Sequence, residues 1–136
     1  EDVAALLGNR SGLLGVSGIS DDVRVLEASG DPRAREALEM FAERAATAIA
    51  AQCVALEGLD ALVFTGGIGE HAENTRKRIG ERLRWLGIVL DDARNASDAT
   101  RISSDAARVQ VFVIPTDEET VIARAAARLL GSPSER

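Results

Sequence analysis

The run "DALVFTGGIGEHAENTRKRIG", Asp60 to Gly80, restricts the fold more than any other part of this chain. A short, continuously apolar segment stops at a glycine cluster, and a polar, helix-like segment follows at once. "ALVFTGG" has the character of a strand buried in the middle of a sheet. Glu73 to Leu86 is predicted to be helical, with Ile79, Leu83 and Leu86 on one face. A strand leading through glycines into a helix is an α/β unit, and the rest of the chain extends it. "GIVLD" predicts a second short strand, Asp92 to Asp105 a polar connection, and "RVQVFVIP", Arg108 to Pro115, a third strand. Thr116 to Leu130 is predicted to close the unit as a helix, with Thr116 and Glu119 matching the capping box T-x-x-E.

Ahead of the strand lies a long helical pattern from Asp31 to Gly58. Asp31 is its predicted cap and Pro32 its first position. Leu38, Phe41, Ala45, Ile49, Cys53 and Leu56 recur three or four apart and form one apolar face. Its many alanines allow close approach by a second helix or a second subunit. Aromatic residues are only 3% of the chain, so Leu, Ile, Val and Ala must fill the core. "RSGLLGVSGIS", Arg10 to Ser20, has the composition of a structured loop. Ser20 is the expected N-cap of a short helix "DDVRVLEAS". Asp2 to Leu7 fits the end of a helix closed by Gly8 and Asn9.

Several function classes fall away on composition. The net charge is −6 and no basic block is present, which argues against nucleic-acid binding. One His and one Cys cannot build a zinc site, and Cys53 is expected simply to pack in the long helix. No apolar run approaches the roughly 20 residues that span a membrane. The expectation is a cytoplasmic, single-domain chain. Its opening "EDVAALLGNR" resembles the middle of a helix, as in a piece of a longer protein.

The glycine cluster admits more than one use. Gly66, Gly67 and Gly69 let a backbone adopt φ > 0 and let an anion or a flat ring approach closely. They equally suit a tight strand-to-helix turn packed on the sheet. Gly67-Ile68-Gly69-Glu70-His71-Ala72 also matches the dinucleotide fingerprint G-x-G-x-x-A, with Asp91 about 20 residues on as a ribose-binding acid. Glu70 counts against that match, since a carboxylate in a phosphate turn repels pyrophosphate unless it points away.

Four segments taken in order, "SGLLGVSGISDDVRVLE", "DALVFTGGIGEHAENTR", "LGIVLDDARN" and "VIPTDEETVIARAA", resemble the C-terminal part of the acetate kinases. The resemblance runs almost end to end through this chain and covers well under half of the family's usual length. It implies an α/β, ribonuclease-H-like domain portion of the actin-like ATPase superfamily, with short strands, flanking helices and one long Ala-rich helix. It implies ATP and ADP as nucleotides, Mg²⁺, a small carboxylate substrate (acetate or propionate) and a homodimer whose contact lies in this part. By the same resemblance Asp22, Val23 and Arg24 line the adenosine pocket. Gly67, Ile68, Gly69 and Glu70 stand against the nucleotide near the adenosine and first phosphate. His71 stands where the family commonly has Asn. Glu118 of "PTDEE" is the residue associated with Mg²⁺, and Asp117 again replaces a common Asn. No catalytic residue is carried over, because the family's phosphate loop, Arg pair, histidines and Asp have no counterpart here. Without them the chain is expected to lack kinase activity on its own. The alternatives are a non-catalytic dimerisation module built on the long helix and a Rossmann-type dinucleotide-binding domain.

Overall fold

The long helix predicted from the alanine-rich pattern forms the spine of the molecule. The computed structural model describes residues 3, 4, 8 and 10–130, except the side chains of Glu118, Glu119, Val121 and 128–130. The expected helix end at Asp2–Leu7 therefore lies outside the described residues. Helix α3, Pro32–Ala55, starts at Asp31, whose Oδ1 accepts a hydrogen bond from the Arg33 amide at 2.8 Å. Proline at the first position costs the helix no bond, because that N–H has no partner inside the helix. The Arg33 guanidinium also grips Asp31, Nη2 to Oδ2 at 2.8 Å. That hydrogen bond, then the Arg33 amide, holds the Asp31 carboxyl down at about 2, against an ordinary 3.8.

A depressed carboxylate pKa stabilises the fold above the unfolded value and stops doing so as pH falls through the folded one. The Asp31 contribution should therefore be present at neutral pH and disappear between about pH 4 and pH 2. Melting temperatures of wild type and Asp31→Asn across that window should converge at the acid end. The amide keeps the cap acceptor and does not titrate. A constant difference down to pH 2 would contradict the assignment.

Short helices lie ahead of the spine. Residues expected to form a loop instead contain α1, Gly12–Ser17, closed by Gly18 in the left-handed conformation. Packing stabilises this short helix, since Leu13 lies against the spine's core cluster. Helix α2, Val23–Glu27, is capped by Asp22 and not by Ser20. Ser20 acts one step earlier, its hydroxyl accepting from the Asp22 amide at 3.0 Å. Val23, Leu26, Ala34, Ala37, Leu38 and Ala72 form the core beneath these helices.

The second half of the spine covers a small parallel sheet. Strand β1, Ala61–Phe64, pairs with β2, Gln110–Val113, in the register Phe64↔Val113. Between them the chain crosses over through α4, Gly66–His71, α5, Glu73–Arg82, a 3₁₀ turn Arg84–Leu86, and α6, Asp92–Ala96; α7, Glu118–Leu130, follows β2. A parallel pair requires such a crossover. Strand β1 is less covered than its apolar sequence predicts, with Phe64 buried but Val63 46% exposed. Among the described residues this sheet has only two strands, so no third strand shields β1.

The predicted strand "GIVLD" is reduced to a single antiparallel bridge, Leu90↔Ser103. The expected polar connection after it is partly structural core: Ile102 and Ser103 are fully buried. The Ile102 amide donates to Val111 O at 2.8 Å and its carbonyl accepts from the Asp91 amide at 2.9 Å. Ile102 thus joins the Leu90 segment to β2. The main core of Phe64, Ile79, Leu83, Ile88, Ile102, Val109, Val111 and Val113 closes against Ala42 and Ala46 of the spine. Each fully buried Leu, Ile or Val there is worth about 1.5–3 kcal/mol of transfer free energy. Cys53 packs as expected, its thiol donating to Ile49 O.

The N-cap of α7 is shifted by one residue from the expected Thr116. Asp117 Oδ1 accepts from the Thr120 amide at 2.9 Å, and the Thr116 hydroxyl is engaged elsewhere.

Candidate nucleotide site

The glycine cluster is itself helical. Gly66 adopts φ +71, which an L side chain disfavours, and lets the chain turn from β1 directly into α4. The other two glycines serve different ends. A Cβ on Gly69 would stand 3.1 Å from the Phe64 carbonyl carbon, so Gly69 allows α4 to lie against the strand it follows. A Cβ on Gly67 would meet nothing within 4 Å, and no positive φ is found there. Neither turn geometry nor packing requires glycine at position 67, and the open space beside it is a cleft.

The cleft, about 320 Å³, opens between α2 and α4 and is lined by Asp21, Asp22, Val23, Arg24, Gly67, Ile68, His71 and Ala72. Its size is at the lower end for small-molecule sites. Two segments more than forty residues apart meet there because Val23, Leu26 and Ala72 share one buried cluster. Asp22, Val23, Arg24, Gly67, Ile68 and His71 are brought together. Gly69 and Glu70 are not on its wall: Gly69 faces Phe64, and Glu70 turns back to Gly66 and Thr116. Glu118 has its side chain outside the described residues.

Local chemistry fixes the acidic wall. Asp22 Oδ1 accepts from the Arg24 amide at 2.9 Å as the cap of α2, and its Oδ2 pairs with Arg24 Nη2 at 2.7 Å. The Arg24 side-chain hydrogen bond, ahead of the amide, lowers the Asp22 pKa and keeps the carboxylate ionised. Arg24 is exposed, with a planar guanidinium able to stack on a flat ring. Val23 and Ala72 give the floor an apolar character, and Ile68 is 39% exposed at its edge. An aromatic base with a polar sugar suits such walls: apolar floor, carboxylates for hydroxyl or amine groups, guanidinium plane. Asp91, the acid expected at a strand end in a dinucleotide fold, instead caps α6 through the Arg94 amide.

The residue that sequence reasoning missed is Arg76. It is 1% exposed in α5. Its Nη1 donates to the carbonyls of Gly69 and Glu70, at 2.9 and 2.8 Å. Its Nε donates to Asn95 Oδ1 at 2.8 Å and its Nη2 to Asn95 O at 2.7 Å and to Asp98. Asn95 in turn donates to Glu73 O. Arg76 thus anchors the end of α4, and with it one cleft wall, to α6. The signal was available: Arg76 falls on the α5 stripe with Ile79 and Leu83, a charge where the period demands an apolar residue.

Among the described residues, no group of three or more His, Cys, Asp or Glu side chains could hold a metal ion, and no helix is long and apolar enough to cross a membrane.

Comparison with known proteins bears on the family and the fold. Residues 1–124 match the Acetokinase family. The chain is 54% identical over 130 residues to an acetate kinase of Rhodopseudomonas palustris (strain TIE-1), covering 94% of this chain and 33% of that protein. It is 50% identical over 127 residues to a propionate kinase of Citrobacter rodentium, covering 91% and 32%. The crystal structure of Porphyromonas gingivalis acetate kinase superimposes with a TM-score of 0.82 at 37% identity, covering 94% of this chain and 34% of that one. The chain therefore spans about a third of the length of the curated relatives it matches. The likeness overturns the dinucleotide-binding alternative.

Proposed function

The chain belongs to the acetokinase family, and on that premise we propose that it forms one wall of the nucleotide site of an acetate or propionate kinase. The reaction would move the γ-phosphoryl group of ATP to a carboxylate oxygen of acetate, reversibly, giving acetyl phosphate and ADP. The observation that carries this reading is the convergence of Asp22, Val23 and Arg24 with Gly67, Ile68 and His71 on one cleft.

In this reading the adenosine lies against Val23, Ile68 and the bare backbone of Gly67. Asp22 and Asp21 accept hydrogen bonds from its hydroxyl or amine groups, and Arg24 covers a ring face. His71, in place of Asn, still offers a donor or acceptor to the cleft. The missing Cβ at Gly67 is the fit to a nucleotide that the chain itself provides. Mg²⁺ on the ATP phosphates would supply neutralising charge in the transition state. Glu118 is the residue that would hold it, directly or through water. A single carboxylate fits a metal that takes most of its ligands from phosphate and water. The proposal assigns to this chain no group that positions the γ-phosphoryl or the acceptor, so binding without turnover is its consequence. Homodimerisation through the spine is consistent with Val54, 81% exposed, near the end of α3.

Thermal melts with ADP, ATP plus Mg²⁺, and NAD test the reading. The expected result is stabilisation by ADP and ATP that grows as RT ln(1 + [L]/Kd) and none by NAD. Hydroxylamine trapping with ATP, Mg²⁺ and acetate should give acetyl phosphate at background level. Stabilisation by NAD alone, or turnover well above background, would overturn the respective part.

A further inference from the structure

The hydrogen-bond ladder between β1 and β2 ends where the Ile114 amide donates to Phe64 O at 3.0 Å. Two residues further along each strand, the next donors in the ladder's period are the amides of Gly66 and Thr116. Both donate to one atom, Glu70 Oε1, at 2.8 and 2.9 Å. The Thr116 hydroxyl adds a third bond to the same oxygen at 3.0 Å. A side chain from α4 thus replaces the main-chain carbonyls at the point where the parallel strands part.

We propose that Glu70 is a positioning residue that holds the diverging ends of β1 and β2 and ties the cleft wall of α4 to the segment 115–117 that leads into α7. The inference rests on the nucleotide reading of the cleft for its ligand, and on geometry alone for the tie. Three donors on one carboxylate oxygen form a charge-assisted junction that neither strand makes for itself. Its physical mark is a Glu70 pKa lowered first by the Thr116 amide, with the Thr116 hydroxyl, Gly66 and His71 adding to it. Gly67 and Ile68 sit between the two ends of this junction in sequence, within one helical turn of Glu70. A ligand that fixes α4 therefore also fixes Thr116, and Thr116 leads directly into α7. In this arrangement Glu70 contacts the strand ends and not the ligand, and its effect on binding comes through the backbone it holds.

Amide hydrogen exchange read by NMR on the 136-residue chain, with ADP as probe, tests this. In the free wild type the Gly66 and Thr116 amides should be protected together. Glu70→Ala should speed exchange at both by about tenfold or more, the signature of a lost local closure. Glu70→Gln, which keeps one acceptor oxygen, should restore part of that protection, and Thr116→Val should leave Gly66 protected. ADP should slow exchange in α4 and at Thr116 in wild type, but in α4 only in Glu70→Ala. Its affinity for Glu70→Ala should fall less than about tenfold. Unchanged Thr116 exchange in Glu70→Ala, with ADP still bound, overturns the tie and leaves the nucleotide reading intact. Abolished ADP binding with Thr116 still protected overturns it too, since Glu70 would then touch the ligand. Absence of any ADP effect in wild type overturns the nucleotide reading and the coupling with it. Should Glu70→Ala fail to fold, the Gln and Val variants decide by the same amides.

Discussion

Arg76→Met is expected to cost roughly 3–5 kcal/mol of stability, because it removes the one cation at the centre of a buried network. Methionine can fill part of the volume, so the loss comes mainly from groups left behind. The carbonyls of Gly69 and Glu70 and the Asn95 Oδ1 lose a donor in a site where Arg76 is 1% exposed, while the Asn95 carbonyl keeps the Asp98 amide. Each buried acceptor left unpaired costs about 1–3 kcal/mol, tempered by partial relaxation. Typical domains have only about 5–15 kcal/mol in total, so the variant should be close to unfolding. Arg76→Lys should fare little better, because an ammonium has no planar fork to reach α4 and α6 together. Asp98→Asn should be mild, since Asp98 is half exposed and solvent replaces much of what it gives. Urea denaturation of the three variants checks the ordering. An Arg76→Met loss below about 1 kcal/mol would mean the network is ornamental to the fold.

Gly67→Leu is expected to separate folding from binding. No atom lies within 4 Å of a Cβ at this position, and leucine suits a helix better than glycine. Stability should therefore hold or rise slightly, by up to about 1 kcal/mol. The same side chain occupies the cleft between α2 and α4. ADP affinity should fall at least about tenfold, equivalent to roughly 1.4 kcal/mol or more of lost binding. Gly69→Leu makes the contrast. Its Cβ meets the Phe64 backbone at 3.1 Å, so that change should damage the fold itself. Calorimetric titration beside a melting curve reads both effects for each variant. Unaltered ADP affinity in a folded Gly67→Leu chain would move the ligand away from this wall.

What was legible in the sequence was whatever a local signal controls. Asp31-Pro32 and the three-and-four spacing set the spine, and β1 and β2 emerge at their apolar runs. The meeting of Asp22–Arg24 with Gly67–His71 was legible only through family resemblance, since no local rule brings segments that far apart together. Local signals misled where a distant partner overrode them. Thr116 looked like a helix cap, yet its hydroxyl and amide go to Glu70, and Asp117 caps instead. Residues 100–103 looked polar and loop-like, yet Ile102 is buried and joins two segments by backbone bonds that composition does not register. The segment from Gly66 to His71 read as a tight strand-to-helix turn and is itself a helix, because Gly66 alone absorbs the left-handed step. Glycines in such a cluster are not equivalent: Gly66 takes the left-handed step, Gly69 lies against Phe64 and Gly67 faces open space.

The central claim is that α2 and α4 enclose a nucleotide. An ADP titration of the ¹⁵N-labelled chain, followed residue by residue in the amide spectrum, tests it most directly. The account predicts saturable shifts concentrated at Val23, Arg24, Gly67, Ile68, His71 and Ala72, with Lys77, Gly80 and Arg84, which line a second hollow beside Ile88 and Leu90, unmoved. Shifts centred on that second hollow, or no saturable shift at the six cleft residues, would contradict it.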